Sequence, residues 1–172
     1  AASVANVAPV TTFGTENIYR TISTGRASVA FDPNNANKFV IAFSDTSPPF
    51  DSTWGAGRAI VGTVSGTTIT FGNEYTFSTA ETSHPDPHNA NKFAIVYRDS
   101  GNSSYGTAVI ATISGTSISF GSESVFNSVS TSQISGSYDP NTAGSFVIVY
   151  RHSVNDRSYA KVATISGNTL SY

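Results

Sequence analysis

Three short stretches of the chain are apolar at nearly every position: Phe39-Val-Ile-Ala-Phe43, Phe93-Ala-Ile-Val-Tyr97 and Phe146-Val-Ile-Val-Tyr150. Each is too short for a helix and rich in β-branched and aromatic residues, so each reads as a strand covered on both faces. Each follows a polar stretch that starts with Asp-Pro: Asp32-Pro-Asn-Asn-Ala-Asn37, Asp86-Pro-His-Asn-Ala-Asn91 and Asp139-Pro-Asn-Thr-Ala-Gly144. This is turn chemistry, because Pro fixes φ while Asn and Gly tolerate left-handed backbone. The Asp recurs at intervals of 54 and 53 residues, which makes the pattern an internal repeat.

The rest of the chain falls into the same frame. A shorter strand precedes the turn, as at Ala27 to Phe31. A third strand follows the apolar one: Ala59 to Val64, Ala108 to Ile113, and Lys161 to Ile165. Ser-Gly at Ser65, Ser114 and Ser166 then signals a tight hairpin. The fourth strand carries Phe-Gly-x-Glu around Gly14, Gly72 and Gly121, where the glycine predicts a bulge or a close approach. No helical periodicity competes with these strands. The reading is a single all-β domain over residues 1–172, built from three four-stranded repeats of about 53 residues: 20–77, 78–126, and 127–172 completed by 9–19.

Four-stranded units with strands covered on both faces favour a β-propeller over a threefold β-prism or β-trefoil. Three blades do not close a ring. The propeller reading therefore predicts a homodimer of six blades in which the N-terminal strand, Val10 to Tyr19, completes a partner's last unit.

Composition narrows the function. Only 12% of residues are charged and the formal net charge is −2, which gives no basic footprint for nucleic acid. The chain has no cysteine, which excludes disulfides and thiolate metal sites. No apolar run reaches the length of a membrane-spanning helix. The chain starts at Ala1 and contains no Met, and is read as a processed, secreted product or a fragment.

Candidate chemistry is sparse. Asp32, Asp86 and Asp139 precede Pro and read as turn anchors that accept hydrogen bonds from the amides that follow. His84 and His88 flank Asp86 without counterparts in the other units, so a metal is not expected. No phosphate loop, nucleophile elbow or Ser-His-Asp set is present, and neither catalysis nor a cofactor is expected.

The variable part of each unit is the loop after the apolar strand. Each such loop ends on an aromatic, Trp54, Tyr105 or Tyr159, at 9, 7 and 5 residues from the Thr of the next strand. Steps of two preserve facing, so these rings are expected on the same side. An aromatic platform beside groups that bond hydroxyls is how a protein holds a sugar. The candidate carbohydrate sites are Asp45 with Trp54, then Arg98, Asp99 and Asn102 with Tyr105, then Arg151, His152 and Asn155 with Tyr159. The sequon Asn102-Ser-Ser104 lies in the second of these loops and is expected to be unglycosylated, since a glycan there would crowd the site.

The unit containing Asp32-Pro-Asn-Asn-Ala-Asn-Lys-Phe-Val-Ile-Ala-Phe43 and Gly115-Thr-Ser-Ile-Ser-Phe-Gly121 resembles a repeat of secreted marine-microbial proteins. A three-repeat chain without Met or Cys also resembles the repeat lectins of marine sponges. The resemblance covers almost all 172 residues. It implies an extracellular, multivalent, oligomeric lectin that agglutinates by binding galactosides, and it assigns no binding residue by position. Two other classes fit the same pattern: a structural segment of a phage or bacterial surface fibre, and a secreted glycosidase-like propeller.

Overall fold

Alternating and fully apolar runs rich in Val, Ile, Thr and aromatics leave little but strands available to this chain. The computed structural model describes residues 14–47, 55–79, 83–85 and 89–172. Its strands, in chain order, begin with β1 (Thr24–Phe31), β2 (Lys38–Asp45), β3 (Ala56–Ser65) and β4 (Thr68–Thr79). Next come β5 (Ser83–Pro85), β6 (Lys92–Asp99), β7 (Tyr105–Ser114) and β8 (Ser117–Phe120). The last are β9 (Ser124–Tyr138), β10 (Ser145–His152), β11 (Ser158–Ser166) and β12 (Thr169–Ser171). No helix occurs among the described residues.

The strands form two antiparallel sheets. One is the four-stranded meander β1-β2-β3-β4. The other has the order β12-β11-β10-β9-β7-β6-β5, with β8 pairing β7. The second sheet is continuous because β9 spans 15 residues and serves two neighbours. Its first half pairs with β7 and its second half with β10. The reading of separate four-stranded units did not foresee this shared strand.

The core lies where sheet faces meet. Val40, Ala59 and Val61 from the first sheet pack against Phe93, Ile95, Tyr97 and Val109. The opposite face of β6 and β7, with Ala94, Val96 and Ile110, packs against Phe146, Ile148 and Tyr150. Burying each such side chain contributes about 1.5–3 kcal/mol relative to leaving it in water. The apolar run of β6 is therefore covered on both faces, as its sequence predicts. That of β10 is covered on one face only: Phe146 and Ile148 are buried, but Val147 and Val149 are 38% and 45% exposed. The difference is positional, since no further sheet lies over that side of β10 among the described residues.

Two devices recur where one group of strands meets the next. The first is the strand glycine, which is a close approach. A methyl at Gly14, Gly72 or Gly121 would sit 2.6, 2.7 or 2.5 Å from the carbonyl oxygen of Thr67, Thr116 or Asn168. Each glycine thus lies against the hairpin of the following unit. The second is an aromatic triad. Tyr19 packs on Phe43 and Phe71, Phe77 on Tyr97 and Phe120, and Phe126 on Tyr150 and Tyr172, with ring centroids 5.1–6.2 Å apart. Residues 14–20 carry the first copy of both devices. They lie on the first sheet of their own chain and outside any strand ladder.

Candidate functional site

The variable loops all leave from the C-terminal ends of β2, β6 and β10, at the opposite end of the sheets from the Asp-Pro turns and the hairpins. Register aligns Asp45 with Ala56, Asp99 with Tyr105 and Tyr150 with Tyr159. Asp99 lies two residues beyond Tyr97, so Tyr105 shares a face with Tyr97, just as Tyr159 shares one with Tyr150. The rings of the second and third loops therefore occupy corresponding faces. Trp54, which ends the first loop, lies outside the described residues.

At the first loop the structure corrects the expectation for Asp45. This carboxylate is buried at 3% exposure and turned inward. Its Oδ2 meets Arg20 Nη2 at 2.8 Å and Arg58 Nε at 2.9 Å. Its Oδ1 accepts from the Ser47 amide at 3.0 Å. Burial alone would raise its pKa, but hydrogen bonds from Ser47, Arg20 and Arg58 outweigh this and hold it well below the usual carboxylate range. Glu74 closes the cluster, 2.9 Å from Arg20 Nη1. Asp45 is thus the hub of an internal ion network, not a group offered to a sugar. Arg20 and Arg58 were not singled out from the sequence, whereas Glu74 is the glutamate of the repeated Phe-Gly-x-Glu, a position open to pairing with Lys or Arg. For the two arginines the signal was there only as charged residues at positions filled by Ser78 and Asn127, and by Thr107 and Tyr159, elsewhere in the repeat.

Asp99 departs in the same way. It is buried at 5% exposure, and its Oδ1 accepts from the Gly101 amide at 3.0 Å, anchoring the turn. Arg98 Nη2 donates to Ser104 Oγ at 2.8 Å. The turn is tight: Ser103 and Ser104 have φ of 52° and 62°. Asn102 is exposed and Tyr105 half-buried, so this loop presents one amide and one phenol at the surface.

The third loop brings its predicted residues together. His152 stacks on Tyr159 at 4.0 Å and 29°, and both lie beside Tyr150, at 5.7 and 5.8 Å. Asn155 Nδ2 donates to the Tyr159 hydroxyl at 3.1 Å, and its Oδ1 accepts from the Arg157 amide. Arg151 pairs with Asp156 at 2.6 Å. A residue missed from the sequence, Asn127, sits 3.1 Å from His152 Nε2 through its Oδ1 and is itself held by Thr131 at 2.6 Å. It comes from β9, remote in sequence, and only the long shared strand delivers it here. Burial and the neighbouring Tyr159 phenol both raise the Tyr150 pKa, so Tyr150 keeps its proton at neutral pH. His152 and Tyr159 are half-buried, and Asn155 and Arg157 are exposed. The arrangement is a fixed, partly exposed stack of rings edged by amide and guanidinium donors.

Asp32 and Asp139 anchor their turns, accepting from the amides of Asn34 and Asn141 at 2.9 and 2.8 Å. Asp86 and His88 lie outside the described residues. No protein-family model matches the chain, and no curated protein is similar to it.

Proposed function

We propose that this protein is a multivalent carbohydrate-binding protein, a secreted lectin of galactoside type, whose three repeats are blades of a propeller that six units complete in a dimer. The observation that carries the reading is the third loop, where His152 and Tyr159 form a stacked platform at the surface with Asn155, Asn127 and Arg151 around it. The apolar CH face of a pyranose suits the rings, and its hydroxyls suit the amides and guanidinium. The second loop offers a smaller version with Asn102 and Tyr105. The carboxylates support a binder over a glycosidase. Asp45 and Glu74 are neutralised by Arg20 and Arg58, and Glu123 accepts from Tyr97 Oη at 2.6 Å. Shallow sites of this kind are weak, about −4 to −6 kcal/mol each, and multivalency supplies the avidity.

The test is a glycan array followed by calorimetric titration with the best galactoside. Tyr159→Ala is expected to weaken single-site binding at least tenfold while leaving the β-sheet circular dichroism unchanged. Unchanged affinity in a folded Tyr159→Ala protein removes the third loop as the site.

A further inference from the structure

Among the described residues, the stack of sheets ends in two open apolar faces. At one end Val29 and Phe31, 61% and 56% exposed, border an apolar depression of ≈ 320 Å³ with Ile41 and Ile69 on its wall. At the other end Val147, Val149 and Val162 are 38%, 45% and 60% exposed. These are the same two faces that meet inside the chain. Val147, Val149 and Val162 stand where Ala94, Val96 and Ile110 stand in the second unit, and those are buried against the third. The wall of the depression corresponds to the side of β6 and β7 that is buried against the first sheet.

Among the described residues, a strand edge is open beside the second of these faces. β3 is paired by β4 from Ala56 to Ser65. β7 is paired by β9 at Tyr105–Ala108 and by β8 at Ala111–Ser114. β11 is paired on that side by β12 only at Thr164–Ser166. Residues 14–20 correspond in sequence to 72–78 and 121–127, the segments that fill this place in the other two units. They already rest on their own first sheet through Gly14 and Tyr19, as Gly72 and Phe77 rest on the second unit.

We propose that two copies of this chain join head to tail, the first-sheet face of one covering the β10–β11 face of the other, with residues 14–20 laid along Ser158–Ala163 as the missing half of the fourth strand. This uses the six-unit ring of the preceding reading and is independent of its sugar. The register of Ile60 opposite Glu74 places Glu16 of the second copy opposite Lys161. Lys161 replaces the Ile60 and Val109 of the other units, and its Nζ is held at the Phe126 carbonyl at 2.7 Å, over the Tyr172 ring. Tyr97 Oη donates to Glu123, and the corresponding pair is Tyr150 with Glu16 of the second copy. One internal contact is not reproduced. Lys38 and Lys92 donate to the carbonyls of Gly115 and Gly167 across the internal joints, whereas the third unit has Ser145 at that place.

The test starts with light scattering of the 172-residue chain at about 20 μM, where a particle of twice 18.0 kDa is expected. A monomer overturns the joint, and is the result if the faces serve a further repeat of a longer chain. A ladder of larger particles overturns closure with two copies. Val149→Asp/Val162→Asp and Phe31→Asp each change side chains that are exposed in the single chain, so both proteins are expected to fold, with circular dichroism as the check, and to be monomeric. Mixing the two is expected to restore a dimer through the one intact joint. A dimer of either variant alone shows a symmetric face-to-face contact and overturns the head-to-tail order. Glu16→Lys and Lys161→Glu are each expected to weaken dimerisation at least tenfold, and the double variant to recover most of it. No recovery overturns the strand register. Titration of the best galactoside into the monomeric variants reports separately on the sugar sites.

Discussion

Asp45→Asn tests whether the ion network holds the first sheet to residues 14–20. The change keeps the side-chain volume and removes the charge that faces two guanidiniums. Arg20 is the partner that matters, because its side chain is 3% exposed and that of Asp45 is 4%. Breaking a buried pair by removing one partner costs about 3–5 kcal/mol, since the other charge stays buried. Here Glu74 still meets Arg20 Nη1 at 2.9 Å, which places the expectation near the lower limit, about 3 kcal/mol. Arg58 is 29% exposed and adds little, because solvent screens its pairing. For a chain of this size the loss corresponds to roughly 6–12 °C in Tm.

The assay is urea denaturation of both proteins at pH 7, followed by circular dichroism and by the fluorescence of the single Trp. The pH dependence has a definite sign. The folded pKa of Asp45 lies below that of the unfolded chain, near 3.9 for a free Asp. Its stabilisation is therefore complete above about pH 5, and it declines as acid protonates the unfolded chain first. The decline continues until the folded group itself is protonated. The gap between the native protein and Asp45→Asn should narrow from pH 7 towards pH 3. A difference below about 1 kcal/mol at pH 7, or one that does not narrow in acid, refutes the argument.

Other outcomes are equally specific. Gly121→Ala places a methyl 2.5 Å from the Asn168 carbonyl oxygen, and a loss of about 1–3 kcal/mol in urea denaturation is expected. Phe126→Ala empties the joint between Tyr150 and Tyr172 and is expected to cost about 3–5 kcal/mol, while Val154→Ala, at an exposed loop position, should stay within about 0.5 kcal/mol. Asn127→Ala removes the hydrogen-bond partner of His152 and is expected to weaken galactoside binding several-fold without moving Tm by more than a few degrees, measured by calorimetry beside a thermal melt. Intact mass of the protein from a eukaryotic source is expected to match the bare chain, with Asn102 unmodified.

What the sequence decided by itself is the part governed by local chemistry. Runs of β-branched and aromatic residues too short for a helix leave the backbone no better option than strands, and the ends of β2, β6 and β10 fall within one or two residues of the apolar runs. Asp32 and Asp139 cap their turns because a short carboxylate before Pro reaches the amide two residues on. The strand glycines mark close approaches because any Cβ there would strike the hairpin of the next unit. The grouping of His152 with Tyr159 was also legible, since both residues lie at the ends of one short loop, while their stacking came from the fold.

Tertiary structure decided whatever depends on which sheet faces which. Asp45 and Asp99 read as loop groups for a sugar in the sequence, yet the fold turns both inward, where Arg20 pairs with Asp45 and the Gly101 amide donates to Asp99. Asn127 joins the third loop only because β9 runs unbroken from one unit into the next. Val147 and Val149 have the same apolar character as Ala94 and Val96. Burial separates them for one reason: the third unit packs on the second pair and nothing among the described residues packs on the first.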